Sequence, residues 1–179
     1  MGDTPTREAV VPRLRGRFGR EYLYVASTPS TQRLLAPDAP EGTVAVADQQ
    51  TEGRGRLGRR WEASAGTSVL CSIQLRPKVE ASRFPELTVL GAEACADAIR
   101  SVTGLEPALK HPNDVLIGGR KVAGVLGESD PQRVVLGIGI NVGGSAWPDA
   151  GWVDRDRLEL LVDVLERLER GYDDWLATR

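Results

Sequence analysis

A chain of 179 residues with 41% hydrophobic content is long enough to bury a proper core and short enough to be one domain. Its 23 basic and 25 acidic residues nearly cancel, so no global field draws it to nucleic acid or to a membrane surface. No stretch combines a basic start with an apolar signal core or approaches bilayer-spanning length, and two cysteines without metal-ligand spacing beside a single histidine argue against a zinc site or a histidine-based triad; the expectation is a cytoplasmic protein.

Residues 1 to 20 carry prolines and five arginines without a clean period and read as a loosely ordered arm. A strand over Tyr22 to Ala26 follows, then a short helix that Thr28 or Ser30 could cap, with Pro29 suited to its first turn. The run TVAVAD at 43 to 48 predicts a strand, and residues 68 to 75 another. Leu87, Leu90, Ala94, Ala98 and Val102 recur at spacings of three and four, which predicts a helix ended by Gly104. Segments 114 to 117 and 121 to 126 flank Gly118-Gly119, a hairpin signal because both turn positions can take positive φ. A strand over 134 to 142 and a final helix opened by Asp154 or Asp156, bent or interrupted at Gly171, complete the chain. Strands and hairpins with few helices predict an α+β fold, a mixed β-sheet covered mainly on one face. Cys71 and Cys95 read as small buried hydrophobes.

Between the strands at 43 to 48 and 68 to 75 lies GRGRLGRRW, Gly53 to Trp61. Glycines let a backbone approach an anion closely, and arginines supply always-charged donors for carboxylate and phosphate oxygens. The string also satisfies GxGxxG, but a dinucleotide fold needs a helix opening directly after the glycines, and residues 62 to 75 read as a loop and a strand. A kinase-type glycine loop has no accompanying HRD or DFG here. The remaining ordinary explanation is a solvated arginine-rich hairpin tip.

Four further segments bear on this choice: Ser30-Thr31-Gln32, Lys110-His111-Pro112-Asn113-Asp114, Arg120-Lys121-Val122-Ala123-Gly124-Val125-Leu126, and Gly137-Ile138-Gly139-Ile140-Asn141. Singly, each has an ordinary account as a cap, a turn, a snorkelling lysine or a bulge glycine. In this order, with the arginine loop, they resemble the catalytic domain of biotin-protein ligase, from about residue 22 to the end. That family shows a Ser-Thr pair at a helix start, a QTxGRGRxGRxW loop, and K-W-P-N-D, K-x-A-G-I-L and G-x-G-I-N segments.

The resemblance implies ATP-dependent activation of biotin as biotinyl-adenylate, with MgATP as co-substrate, and transfer to a lysine of a biotin carboxyl carrier domain. It implies biotin contacts from Ser30, Thr31, Gln32, Gln50, Arg54, Gly124, Gly137 and Gly139. ATP or adenylate contacts would come from Arg54, Arg56, Arg59, Trp61, Asn113, Asp114 and Asn141, with Asp114 the residue to meet magnesium. Lys121 and Arg56 would be catalytic, neutralising charge between two anions. The implied organisation is the arm at 1 to 20 and one catalytic domain at 21 to 179, with neither an N-terminal helix-turn-helix domain nor a C-terminal β-barrel. The expected partner is the carrier domain, with no nucleic acid and no membrane; pairing into a homodimer stays open.

This chain departs from the family pattern at three positions. Gln32 stands where Asn is usual, His111 replaces the Trp of K-W-P-N-D, and Glu52 sits where a small residue is usual. Two alternatives therefore stay open: a lipoate or octanoate ligase or transferase of the same fold, and a biotin-binding module without transfer activity.

Overall fold

The computed structural model describes residues 4 to 178. Seven strands form one sheet: β1 (Tyr22–Thr28), β2 (Val44–Gln50), β3 (Ser68–Leu75), β4 (Ala108–Lys110), β5 (Asp114–Ile117), β6 (Arg120–Asp130) and β7 (Arg133–Asn141). Their order is β1-β2-β3-β7-β6-β5-β4, parallel between β1 and β2 and antiparallel elsewhere. The helices are α1 (Arg7–Val10), α2 (Glu86–Thr103) and α3 (Arg157–Ala177). The mixed α+β sheet expected from the element order is therefore present.

Alternation along the strands sorts side chains between two faces. Val69, Cys71, Ile73 and Leu75 of β3 join Val134, Leu136, Ile138 and Ile140 of β7 in the main core, together with Leu87, Cys95 and Ile99 of α2 and Leu161, Leu165 and Leu168 of α3. The opposite face holds a much smaller apolar cluster, Leu35, Ala45 and Val135. Gly91 lets α2 lie close on β6, since a Cβ there would stand 3.0 Å from Val125. Gly118 and Gly119 take φ of 56° and 78° in the β5–β6 turn, as the hairpin signal required. Gly104 closes α2 in the left-handed conformation, with its N–H donating to the Arg100 carbonyl.

Three expectations need correction. Residues 4 to 20 are folded rather than loose, and the first three residues of the expected arm lie outside the described residues. Thr6 caps α1, Val10, Leu14 and Phe18 are buried, and Arg17 pairs with Glu169 and Asp173 of α3 at 3.0 and 2.5 Å. Four-residue spacing of those three apolar side chains supplies the packing, while the interleaved arginines face solvent or α3 carboxylates. α3 is not interrupted at Gly171: it runs unbroken, and the missing Cβ allows contact with Leu90 of α2, 3.0 Å from where that Cβ would sit. Ser30 precedes only a 3-10 turn, Thr31 to Leu34, and makes no side-chain capping bond.

At the outer end of β2, Arg157 is buried and pairs with Asp48 at 2.8 Å, while the Tyr24 hydroxyl donates to the same carboxylate at 2.6 Å. Burial and that hydrogen bond push the Tyr24 phenol up to about 12. This polar lock anchors the strand from which the arginine loop departs.

Candidate active site

The face of the sheet away from α2 and α3 carries two cross-strand rows: Leu70, Gly139 and Gly124 on β3, β7 and β6, and beside them Ser72, Gly137 and Leu126. Half of these six positions lack a side chain, which leaves a hollow. A Cβ on Gly139 would lie 2.5 Å from the Trp61 indole, and one on Gly137 would lie 3.1 Å from the Gln32 amide nitrogen. Glycine thus lets Trp61 lie directly on β7 at Gly139, and leaves Gln32 room at Gly137.

The turn after β1 forms one wall. Thr31 donates its backbone N–H and its hydroxyl to Gln50 Oε1, at 2.8 and 3.0 Å, and its Oγ1 lies 2.7 Å from Ser72 Oγ. Gln32 crosses the floor to donate to the Leu126 carbonyl at 3.2 Å and, more weakly, to that of Val135 at 3.4 Å. Its extra methylene relative to Asn supplies that reach.

The arginine loop forms the roof. The Gly55 N–H donates to the Arg59 carbonyl at 2.8 Å and the Trp61 N–H to that of Gly53 at 2.9 Å, closing a small hairpin whose tip, Leu57 and Gly58, takes φ of 57° and 75°. No helix follows the glycines, so the dinucleotide geometry is absent here. Arg56 donates to Asn113 Oδ1 at 3.1 Å, Arg54 Nη1 lies 2.8 Å from Glu128 Oε1, and Arg33 pairs with Glu52 at 2.7 Å. Glu52 thereby tethers the turn at 31 to 34 to the loop. The Lys121 ammonium stands 2.7 Å from Asp114 Oδ1 and 5.5 Å from the centre of a Trp61 ring.

Two cavities meet at this point. An inner one of about 50 Å³ and an outer cleft of about 770 Å³ share Gly55, Arg56, Trp61, Asn113 and Lys121 as lining. Twelve of the fifteen residues singled out in the sequence line the inner cavity: Ser30, Thr31, Gln32, Gln50, Arg54, Arg56, Trp61, Asn113, Lys121, Gly124, Gly137 and Gly139. The other three, Arg59, Asp114 and Asn141, line the outer cleft beside His111, Trp147 and Asp149. Asn141 is buried and donates to the Gly151 carbonyl at 2.9 Å, so its amide nitrogen pins the loop before α3.

The inner cavity has room for a few waters. A larger ligand has to displace Trp61 or Gln32, and Trp61 is the less restrained, because its buried indole N–H finds no acceptor among the described residues. The chemistry on offer is consistent across the site: hydroxyls and amides within, then a boundary of guanidinium and ammonium groups, then a wide cleft.

Ser72, Glu128, Trp147 and Asp149 were not singled out in the sequence. Ser72 could have been found from β3 alternation, since it faces away from Cys71 and Ile73; the others carry no local motif. The cysteines are buried and unpaired, and burial pushes the Cys71 thiol up to about 12 and raises that of Cys95 as well. Neither is a nucleophile at neutral pH.

The model of the biotin/lipoate A/B protein ligase family matches residues 24 to 145. The chain is 34% identical to the biotin–[acetyl-CoA-carboxylase] ligase of Mycobacterium tuberculosis, over 89% of this chain and 67% of that protein. It is 35% identical to the bifunctional ligase/repressor BirA of Bacillus spizizenii, over 89% of this chain but 56% of that one, so it spans little more than half the Bacillus relative's length. The biotin protein ligase from Aquifex aeolicus in complex with biotin and ATP superimposes with a TM-score of 0.78 and 34% identity, over 89% of this chain and 73% of that one. The seven-stranded sheet and its helices therefore have the architecture of a biotin protein ligase catalytic domain. The chain belongs to the biotin/lipoate A/B protein ligase family.

Proposed function

We propose that this chain is an ATP-dependent ligase that activates biotin as biotinyl-adenylate and transfers it to a lysine of a biotin carboxyl carrier domain. The observation that carries the reading is the placement of Lys121, Arg56 and Trp61 at the boundary between a polar, glycine-floored cavity and a wide cleft. A small carboxylate in the first and a nucleotide in the second would meet at those cations. The relatives named as biotin ligases favour biotin as the occupant of the inner cavity.

In the first step a biotin carboxylate oxygen bonds to the α-phosphorus of ATP, and the bond from that phosphorus to the pyrophosphate oxygen breaks. Two anions must approach, so the chain's task is alignment and charge neutralisation. Lys121 would bridge the carboxylate and the α-phosphate, while Arg54 and Arg56 cover them from the loop. In the second step the acceptor's lysine amine bonds to the acyl carbon and AMP leaves, with Lys121 stabilising the departing phosphate. Ser30, Thr31 and Gln50 would hydrogen-bond the biotin head; Arg59, Asn113 and Asn141 would hold the nucleotide, with Trp61 beside the adenine.

Magnesium would arrive with ATP. Among the described residues no three carboxylate, histidine or cysteine groups gather to hold an ion, and Asp114 is already paired to Lys121. That donor set suits one carboxylate assisting a cation ligated by the nucleotide's phosphates.

The test is pyrophosphate release with biotin, lipoate and octanoate supplied side by side, followed by transfer to a folded carrier domain. Biotin-dependent release and labelling is the expected result. Release with lipoate or octanoate alone would move the protein to its sister activities, and biotin binding without release would make it a binding module.

A further inference from the structure

Arg54 leaves the sheet with the loop after β2, yet its guanidinium ends on β6. The strand order puts β3 and β7 between those two strands, so the loop carries Arg54 over the pocket before its side chain reaches Glu128 Oε1 at 2.8 Å. Glu128 pairs in register with Val135, two residues beyond Leu126 and four beyond Gly124, and so continues the pocket-facing row of β6. That carboxylate borders an inner cavity whose charged lining residues, Arg54, Arg56 and Lys121, are cations. The neighbouring arginines find different partners: Arg56 a neutral amide on Asn113, and Arg60 the Thr51 carbonyl. Among the loop's arginines, Arg54 is the one held by a carboxylate of a floor strand.

The closest approach to Glu128 is made by Nη1. A guanidinium has five donors in a rigid fork, more than one carboxylate can use, so donors remain for a second acceptor. Arg54 lines the inner cavity, which places those donors over the pocket. We infer that Glu128 is a positioning residue: it holds Arg54 over the pocket so that the guanidinium's remaining donors meet the carboxylate of the acyl substrate. The identity of that substrate as biotin rests on the ligase reading above. The pair is half-exposed, so its contribution should be modest and sensitive to salt.

The experiment is calorimetric titration of biotin into the full chain as wild type, Glu128→Gln, Arg54→Gln and the double variant, with a melting curve for each. Glu128→Gln should weaken biotin binding about threefold to fivefold, the scale of an exposed ion pair, with little change in melting temperature. In the Arg54→Gln background the same substitution should change nothing, since Glu128 acts through Arg54. Raising KCl from about 50 to about 500 mM should bring wild-type binding down toward that of Glu128→Gln. Unchanged or tighter binding by Glu128→Gln, or effects of the two substitutions that simply multiply, would overturn the positioning role alone. A wild type that binds no biotin would overturn both the ligase reading and this inference.

Discussion

The two faces of the central sheet are built from the same strands and differ in almost every other respect. On β7, Leu136, Ile138 and Ile140 face α2 and α3 and fill the core, while Gly137, Gly139 and Asn141 face the pocket. On β3, Cys71 and Ile73 lie on one side and Ser72 on the other. The covered face gains stability from apolar area removed from water. The open face gives up that area: glycines remove side chains, and the polar groups that remain are held by one another or by loops. The lesson is that stability and ligand chemistry are separable here by parity along a strand, one residue apart.

Substitutions on alternate residues should therefore separate folding from function. The largest effect belongs to the covered face. Leu136→Ala, at a fully buried site, should cost roughly 2–5 kcal/mol of stability by denaturant titration while the folded fraction binds biotin as before. Loss of affinity with stability intact would break the comparison. Next, Lys121→Ala should slow adenylate formation on the order of a hundredfold or more in a rapid-quench assay, because a preorganised charge at the reacting phosphate is removed. Its melting temperature should fall only modestly, as Lys121 is partly exposed, although the Asp114 Oδ1 it pairs with is buried. A near wild-type rate would remove Lys121 from the chemistry.

A smaller effect is expected at Gly139→Ala, where the new methyl would crowd the Trp61 indole. Overpacking of a rigid core costs about 1–3 kcal/mol, but Trp61 stands on a loop and can yield. The strain should appear as roughly tenfold weaker biotin binding rather than lost stability, and a large drop in melting temperature would show that the pocket face carries packing after all.

The smallest effect tests the junction of the N-terminal segment with α3. Hydrogen bonding from Arg17 holds the Asp173 carboxyl below its ordinary value. A depressed folded-state pKa means stability that is present above the ordinary carboxylate range and lost as pH falls through the depressed value. Asp173→Asn should thus lower stability slightly at pH 7, by no more than about 1 kcal/mol given the exposure of the pair, and the difference from wild type should begin to shrink near pH 4 and vanish only once pH falls below the depressed value. A constant difference across that range would show that the ion pair is not its source.

Features whose cause is local were legible in the residues. The Gly118-Gly119 turn, the apolar stripe of α2 ending at Gly104, and the Gly53–Trp61 loop each follow from neighbours within a few positions, because turn geometry, helical period and backbone access are short-range properties. The segments bearing Thr31, Gln50, Lys121 and Gly139 could be named from their motifs in the same way. Their convergence could not be read from any one of them. It depends on β7 pairing between β3 and β6, which brings Leu70, Gly139 and Gly124 into one row although they lie far apart in the chain. The same holds for Gly171, whose role is contact with Leu90 rather than a break in α3, for the burial of Val10, Leu14 and Phe18, and for Glu128 beneath Arg54. In each case the deciding partner is distant in sequence, and hydrogen-bonded register and side-chain packing, which local periodicity does not encode, determine which partner it is.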